Sequence, residues 1–378
     1  MTKVLHINSY FSTSGLFSEL YDRQVASGLD IDVYVPISRQ YPDEKLAATG
    51  NYTKVSRNHH QYDRYLFSLK HGKILRDLKK SYPIQNYDLV HAHSLFSNGW
   101  LAYKLWQSDQ IPYIVAVRSA DIRTFFGKMP WMRKTGLKIL MAAQKVVFIS
   151  KNGFREVMNH YIPKAYKREM MAKSVIIANG VNPFWLDNLN HNKSSQIQSP
   201  IQIISVGKTL YEKRFVELAQ MVKDYQKKHP IHLHIVGPNW DQAIVDQLEN
   251  YDHVTYHGPK DKEGLRDIFR QMDIFALLSS RETFGLVYVE AMSQGLPVLY
   301  TQNEGFDGYF EDGWVGVSVD IKDPQAFMRA MDQVIEAYPR FVQHALAESQ
   351  KFEWDSINQT YLDLYDSLLK RSEVNEKS

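Results

Sequence analysis

Two glutamates, Glu282 and Glu290, stand with seven residues between them in Ser279-Ser280-Arg281-Glu282-Thr283-Phe284-Gly285-Leu286-Val287-Tyr288-Val289-Glu290-Ala291. The run before them, residues 274–278, is short and uniformly apolar, which predicts a buried parallel strand. Residues 286–292 predict a helix, stopped by Gly295 and Pro297. Glu282 then lies in the turn, and Glu290 roughly two helical turns further on. The N–H groups around Thr283, Phe284, Gly285 and Leu286 would be the unpaired donors of a helix N-terminus, a place suited to phosphate. A carboxylate beside a bound phosphate repels it, so Glu282 is expected to face hydroxyl groups. Sugar and phosphate together suit the segment best. Glu290 can accept from two vicinal hydroxyls, as a ribose presents them.

A second constellation is Ser205-Val206-Gly207-Lys208-Thr209-Leu210-Tyr211-Glu212-Lys213, a strand ending in Gly with two lysines five residues apart. Lysine is a point charge that suits phosphate, and two charge-assisted contacts outweigh what a helix end adds. Gly237 and Gly258 follow two further apolar runs and would line a nucleobase pocket. In the first half, Asp88-Leu89-Val90-His91-Ala92-His93 places both histidines on one face of a strand, with His93 nearer its carboxyl end. Gly15 follows the first strand. Val117-Arg118-Ser119-Ala120-Asp121 puts a guanidinium, which cannot serve as a base at neutral pH, three residues before a carboxylate. Asp30-Ile31-Asp32 matches an Asp-x-Asp pattern but begins a strand, so no metal is expected there.

These residues need strands to hold them. Apolar runs at 4–7, 32–35, 89–91, 113–117, 146–149 and 175–177, then at 201–206, 232–236, 254–256, 274–278 and 297–300, each precede a helix-length segment. Alternation of that kind predicts parallel sheets with crossover helices. At 378 residues the chain suits two domains of about 150–200 residues. Residues 188–200 are polar and aperiodic and are expected to link domains spanning 1–187 and 201–352. Residues 353–370 carry apolar side chains at helical spacing, and 371–378 are expected to fray.

Cysteine is absent, which excludes disulfides and thiol chemistry. No run is long and apolar enough to span a membrane and no signal peptide is recognisable, so the cytoplasm is the expected compartment. The net charge of +3 divides unevenly: residues 1–190 hold 26 Lys/Arg against 14 Asp/Glu, a balance of +12, and the remainder carries −9. The stretch 125–138 mixes aromatics with cations, and Lys70, Lys73, Arg76, Lys79 and Lys80 form another basic stretch. Such mixtures suit the inner membrane face or an anionic, lipid-linked acceptor as well as they suit a solvated surface.

The segment from Glu282 to Glu290, placed between a strand and Gly295-Leu296-Pro297, resembles the signature of family 4 retaining glycosyltransferases. The Gly207–Lys208…Lys213 motif is similar to that family's Gly-Arg…Lys-Gly diphosphate motif, with Lys208 in place of Arg and Arg214 in place of Gly. The resemblance implies a GT-B fold: two Rossmann-like parallel-sheet domains facing across a cleft, with a C-terminal helix crossing back to the first. It implies metal-independent, retaining transfer from a nucleotide sugar to an acceptor hydroxyl, with no cofactor and a UDP-sugar expected over a GDP-sugar. Polysaccharide or glycolipid synthesis is the implied setting. By the same resemblance, Glu282 contacts the transferred sugar, Lys208 and Lys213 the diphosphate, and His93, Arg118 and Asp121 the reacting end of the first domain. The family often has Gly-Gly where this chain has Ser14-Gly15, and His where it has Arg118. A sugar-nucleotide epimerase of the same fold and a non-catalytic subunit remain the alternative readings.

Overall fold

The computed structural model describes residues 2–375. Packing divides them into two compact units. One comprises 2–149, 153–178 and 354–375, the other 150–152 and 179–353.

The first unit is built on seven parallel strands: β1 (Lys3–Ile7), β2 (Asp30–Ser38), β3 (Thr53–His59), β4 (Leu89–Ala92), β5 (Tyr113–Val117), β6 (Lys145–Phe148) and β7 (Ser174–Ile176), in the order β3-β2-β1-β4-β5-β6-β7. Alternation along each strand feeds two cores. Leu5, Ile7, Val90, Val115 and Val117 point to one face, under the helices Phe67–Ser81, Ser97–Asp109 and Arg133–Ala142. Val4, Leu89, Ile114 and Ala116 point to the other, under Leu16–Ala26 and the C-terminal helix Trp354–Asn375. Both faces being covered explains why these strands read as continuous apolar runs. The expected apolar face of the last helix is real: Ile357, Tyr361, Leu364, Tyr365 and Leu368 are buried in that second core. The helix runs to Asn375. Of the tail expected to fray, 376–378 lie outside the described residues.

The second unit has six parallel strands: β8 (Ile201–Val206), β9 (Ile231–Val236), β10 (Val254–Tyr256), β11 (Ile274–Leu277), β12 (Val298–Thr301) and β13 (Gly316–Val319), ordered β10-β9-β8-β11-β12-β13. The polar segment 188–200 contains no helix or strand and is tied into this unit, for example by the Asn190 N–H donating to the Ser293 carbonyl at 3.1 Å. Residues 179–187 pack with it as well, because the short helix Pro183–Asp187 buries Trp185 against Phe269, ring centroids 5.6 Å apart. Two strands not anticipated from the sequence, β3 and β13, both lie at sheet edges, where one-sided pairing tolerates polar or very short segments. Among the described residues no helix is long and apolar enough to cross a membrane.

Candidate functional site

In the second unit the loops after adjacent strands meet at their carboxyl ends, the usual ligand position in open α/β sheets. Gly207 donates its N–H to the Val236 carbonyl, and Gly237 donates to Gly258, each at 2.9 Å. Gly237 has φ +148, and a β-carbon there would sit 1.8 Å from the Gly207 oxygen, so no side chain fits. Gly207 of the two-lysine motif and the two glycines expected to line a nucleobase pocket are thus drawn into one ladder of loops.

Lys213 folds back over this ladder, its Cε 3.3 Å from where a β-carbon on Gly207 would stand. Its ammonium pairs with Glu282 Oε2 at 2.8 Å, both side chains half-buried. Arg214, at the position where the resemblance expects Gly, has φ +55. That left-handed conformation is what the glycine would supply at no steric cost. Lys208 stands apart from the pair, exposed, with Nζ 3.8 Å from the centre of the Trp240 ring. Thr209 Oγ1 accepts from the Trp240 N–H at 2.8 Å and holds that loop.

The turn carrying Glu282 is braced by the next strand's loop. Glu282 donates its N–H to Glu304 Oε2 at 2.8 Å, and Gly305 donates to the Glu282 carbonyl at 3.1 Å. A β-carbon on Gly305 would lie 2.2 Å from the Thr283 carbonyl group. Glu282 Oε1 accepts from Thr283 N–H at 3.0 Å. Phe284 is buried, and Gly285, at φ +81, precedes the helix Leu286–Ser293 whose first-turn N–H groups follow. Glu290 lies on that helix, half-buried. Burial pushes its carboxyl up to about 7, against Lys262 and a hydrogen bond from Trp185. Trp185, Trp240 and Glu304 join the site without belonging to any of its sequence motifs. For Glu304 a signal existed: it follows β12 as Glu282 follows β11, and β11 and β12 are neighbours.

The first unit places its candidates differently. His93 is buried, its Nε2 3.0 Å from His6 Nδ1 and 3.1 Å from the Tyr21 hydroxyl. His91 Nδ1 lies 2.7 Å from the Tyr365 hydroxyl of the C-terminal helix. The ligating nitrogens of His6, His91 and His93 fall within 4.8 Å of one another. Burial depresses all three, His6 to about 3 and the others well below their ordinary value, so the rings are held neutral, and His6 Nε2, His91 Nε2 and His93 Nδ1 have no hydrogen-bond partner. Asp121 accepts from three backbone N–H groups, those of Leu95, Phe96 and Arg118, at 2.8–3.1 Å. Its carboxylate therefore shapes the loops rather than standing ready for a substrate hydroxyl. Burial raises it to about 6. Arg118 donates from Nε to the His93 carbonyl at 3.2 Å. Gly15 caps the helix Leu16–Ala26 at φ −67 with open space where a β-carbon would be, so this turn does not require glycine. Asp30 and Asp32 both pair with Lys3, at 3.1 and 3.3 Å.

Comparison with known proteins decides what this arrangement belongs to. Residues 16–183 match the description "Glycosyltransferase Family 4" and residues 187–349 match "Glycosyl transferases group 1". The chain belongs to the family 4 glycosyltransferases. Curated relatives of this glycosyltransferase include a D-inositol 3-phosphate glycosyltransferase of Corynebacterium kroppenstedtii, 24% identical over 76% of this chain and 68% of that protein. An uncharacterized glycosyltransferase of Methanocaldococcus jannaschii is 22% identical over 75% and 76%. Among solved structures, sucrose-phosphate synthase from Thermosynechococcus elongatus superposes with a TM-score of 0.74 at 18% identity, covering 98% of this chain and all of that one. Anabaena HepE, solved in complex with UDP-glucose, gives 0.66 at 16% identity, covering 97% and 100%. The glycosyltransferase thus has the two-domain GT-B architecture that its motifs imply.

Proposed function

We propose that this glycosyltransferase moves a sugar from a nucleotide diphosphate donor to an acceptor hydroxyl with retention of anomeric configuration and without a donor-bound metal. The Lys213–Glu282 pair carries the reading. It sets a cation and a hydroxyl-accepting carboxylate 2.8 Å apart, at the end of a glycine ladder and beside a helix N-terminus. Donor binding would part the pair, Lys213 turning to the diphosphate and Glu282 to the sugar. The acceptor oxygen then bonds to the anomeric carbon from the face the diphosphate leaves, as the bond from that carbon to the phosphate oxygen breaks and the acceptor's proton passes to the departing diphosphate. Lys213, Lys208 and the first-turn N–H groups stabilise the departing charge, which is electrostatic catalysis. Solved relatives in complex with UDP-glucose and UDP-2-fluoro glucose favour a uridine donor. Polysaccharide or glycolipid synthesis at the cytoplasmic membrane face is the setting that the basic first half supports.

Replacing Lys208 and Lys213 together with Ala is expected to raise the dissociation constant for nucleoside diphosphate by at least about tenfold. Unchanged calorimetric affinity in the folded double variant would remove the motif from the donor site. Transfer in excess EDTA should equal transfer with added magnesium or manganese. A complete loss restored by metal would reopen the donor site to an ion.

Glu290 makes donor affinity depend on pH. Its raised carboxyl is largely protonated below about 7, and only the ionised form accepts from both ribose hydroxyls. Affinity for nucleoside diphosphate should therefore rise between about pH 6 and about pH 8, and Glu290→Gln should lose that rise. An equal rise in the variant would assign the effect to the phosphate instead.

A further inference from the structure

Two cavities of the first unit share a wall. The smaller, about 230 Å³, lies at the carboxyl ends of β1 and β2 and is lined by Ser9, Ser38, His59 and Asn98 among others. The larger, about 860 Å³, is lined by Phe67, Trp100, Phe125 and Trp131 among others. Lys70, His71 and Ser97 line both. The segments 61–71 and 124–135, separate in the sequence, are thereby brought to one place.

The two cavities differ in chemistry. In the smaller, Asn98 is buried and its amide Nδ2 has no hydrogen-bond partner. Its Oδ1 already accepts from the Ser9 N–H at 3.4 Å. A buried donor left unmatched is costly, and an acceptor arriving in this cavity would satisfy it. Lys70 is half-buried and makes no ion pair among the described residues. The nearby carboxylate of Asp63 is held by Lys73 at 2.8 Å, and burial pulls Lys70 down against the weaker opposing pull of that carboxylate. No carboxylate lines either cavity. His71 stacks on Phe67, centroids 3.9 Å apart, with Nδ1 2.8 Å from the Phe67 carbonyl. In the larger cavity the floor is aromatic, with Phe125 6.1 Å from Phe67 and stacked on Phe96 at 4.6 Å. Its rim leaves Leu66 61% and Trp131 70% exposed, and exposed apolar surface around a concavity marks a binding site.

We infer that the adjoining cavities bind the phosphate-bearing end of a lipid, the phosphate at Lys70 and Asn98 and the hydrocarbon chain along Phe67, Trp100, Phe125 and Trp131. The larger volume lies within the roughly 300–1,000 Å³ typical of small-molecule sites, while the smaller has room for a headgroup alone. Charge complementarity selects an anion, since Lys70 makes no ion pair among the described residues, no carboxylate lines the cavities and residues 1–190 carry an excess of +12. The apolar half selects a lipid over a soluble sugar phosphate. This rests on the glycosyltransferase reading only in making the lipid the acceptor or the anchor beside it.

Dodecyl phosphate, kept below its micelle-forming concentration, tests the site by calorimetry on the full chain. It should bind at least about a hundredfold tighter than inorganic phosphate. Lys70→Met should weaken it about tenfold, and Leu66→Ser with Trp131→Ser should weaken it without altering inorganic phosphate. Equal affinity for the two phosphates would mean a soluble phosphorylated ligand and overturn the lipid assignment. So would equal binding of uncharged dodecyl maltoside, or affinity unmoved by every substitution. Nucleoside diphosphate measured on the same samples separates the two readings. If it binds and dodecyl phosphate does not, the lipid site alone falls.

Discussion

Glu282→Gln is expected to lower turnover by about a hundredfold or more while leaving nucleoside diphosphate affinity equal or slightly tighter. The amide keeps an oxygen for the Thr283 N–H that Glu282 Oε1 now accepts, so the turn should hold. The charge opposite Lys213 disappears, and an ammonium freed from its 2.8 Å partner meets a diphosphate more readily. Hydroxyls of the transferred sugar lose a charged acceptor whose hold tightens as positive charge develops at the anomeric carbon. An interaction felt mainly in the transition state acts on rate, not on ground-state binding. Steady-state kinetics with parallel calorimetry would check this. A fall in diphosphate affinity that matches the fall in turnover would make Glu282 a support for the loop.

Acid should melt the first unit well before the usual carboxylate range. His6, His91 and His93 are held neutral by burial, whereas in the unfolded chain they protonate below about 6.5. The unfolded state then binds more protons, and each histidine removes about 1.4 kcal/mol of stability per pH unit. His59 and His71, both lowered to about 4 by burial, act in the same direction. Asp121 opposes them: raised to about 6, it adds stability as pH falls through that value toward its unfolded range. Several histidines outweigh one carboxylate, and domain stability is only about 5–15 kcal/mol. Scanning calorimetry from about pH 7.5 down to about pH 5 should show a steep fall in Tm, made shallower in His91→Gln. A flat profile would mean that the network takes up protons without opening.

Legibility followed burial. Strands covered on both faces, such as Tyr113–Val117, announce themselves as apolar runs. Thr53–His59 at a sheet edge is mostly polar and did not. The neighbours Glu282, Lys213 and the glycines are visible because they sit in short motifs at strand ends, whereas the separation of Lys208 from them is not. Nor is which lysine meets Glu282, since it depends on how Lys213 folds over Gly207. His6 attracted no notice because only the pairing of β1 with β4 brings it level with His91. Of the adjoining cavities the sequence shows only two stretches that contribute to them, the aromatic and basic 125–138 and the basic run that begins at Lys70, and only the fold unites them.

Trp354, Ile357, Tyr361, Leu364, Tyr365 and Leu368 belong to the same core as Val4, Val33 and Ile114. Residues 178–353, about half of the chain, are synthesised between the two contributions to that core. On a ribosome adding about 5–20 residues per second, that face of the first unit's sheet waits only partly covered, by Leu16–Ala26, while the second unit emerges and can fold. The glycosyltransferase is therefore exposed to aggregation during synthesis at its N-terminal sheet, although that part is made first. Fragments split near the second unit's end should reassemble only when the last helix is supplied, which makes that helix a natural point for controlling assembly from outside.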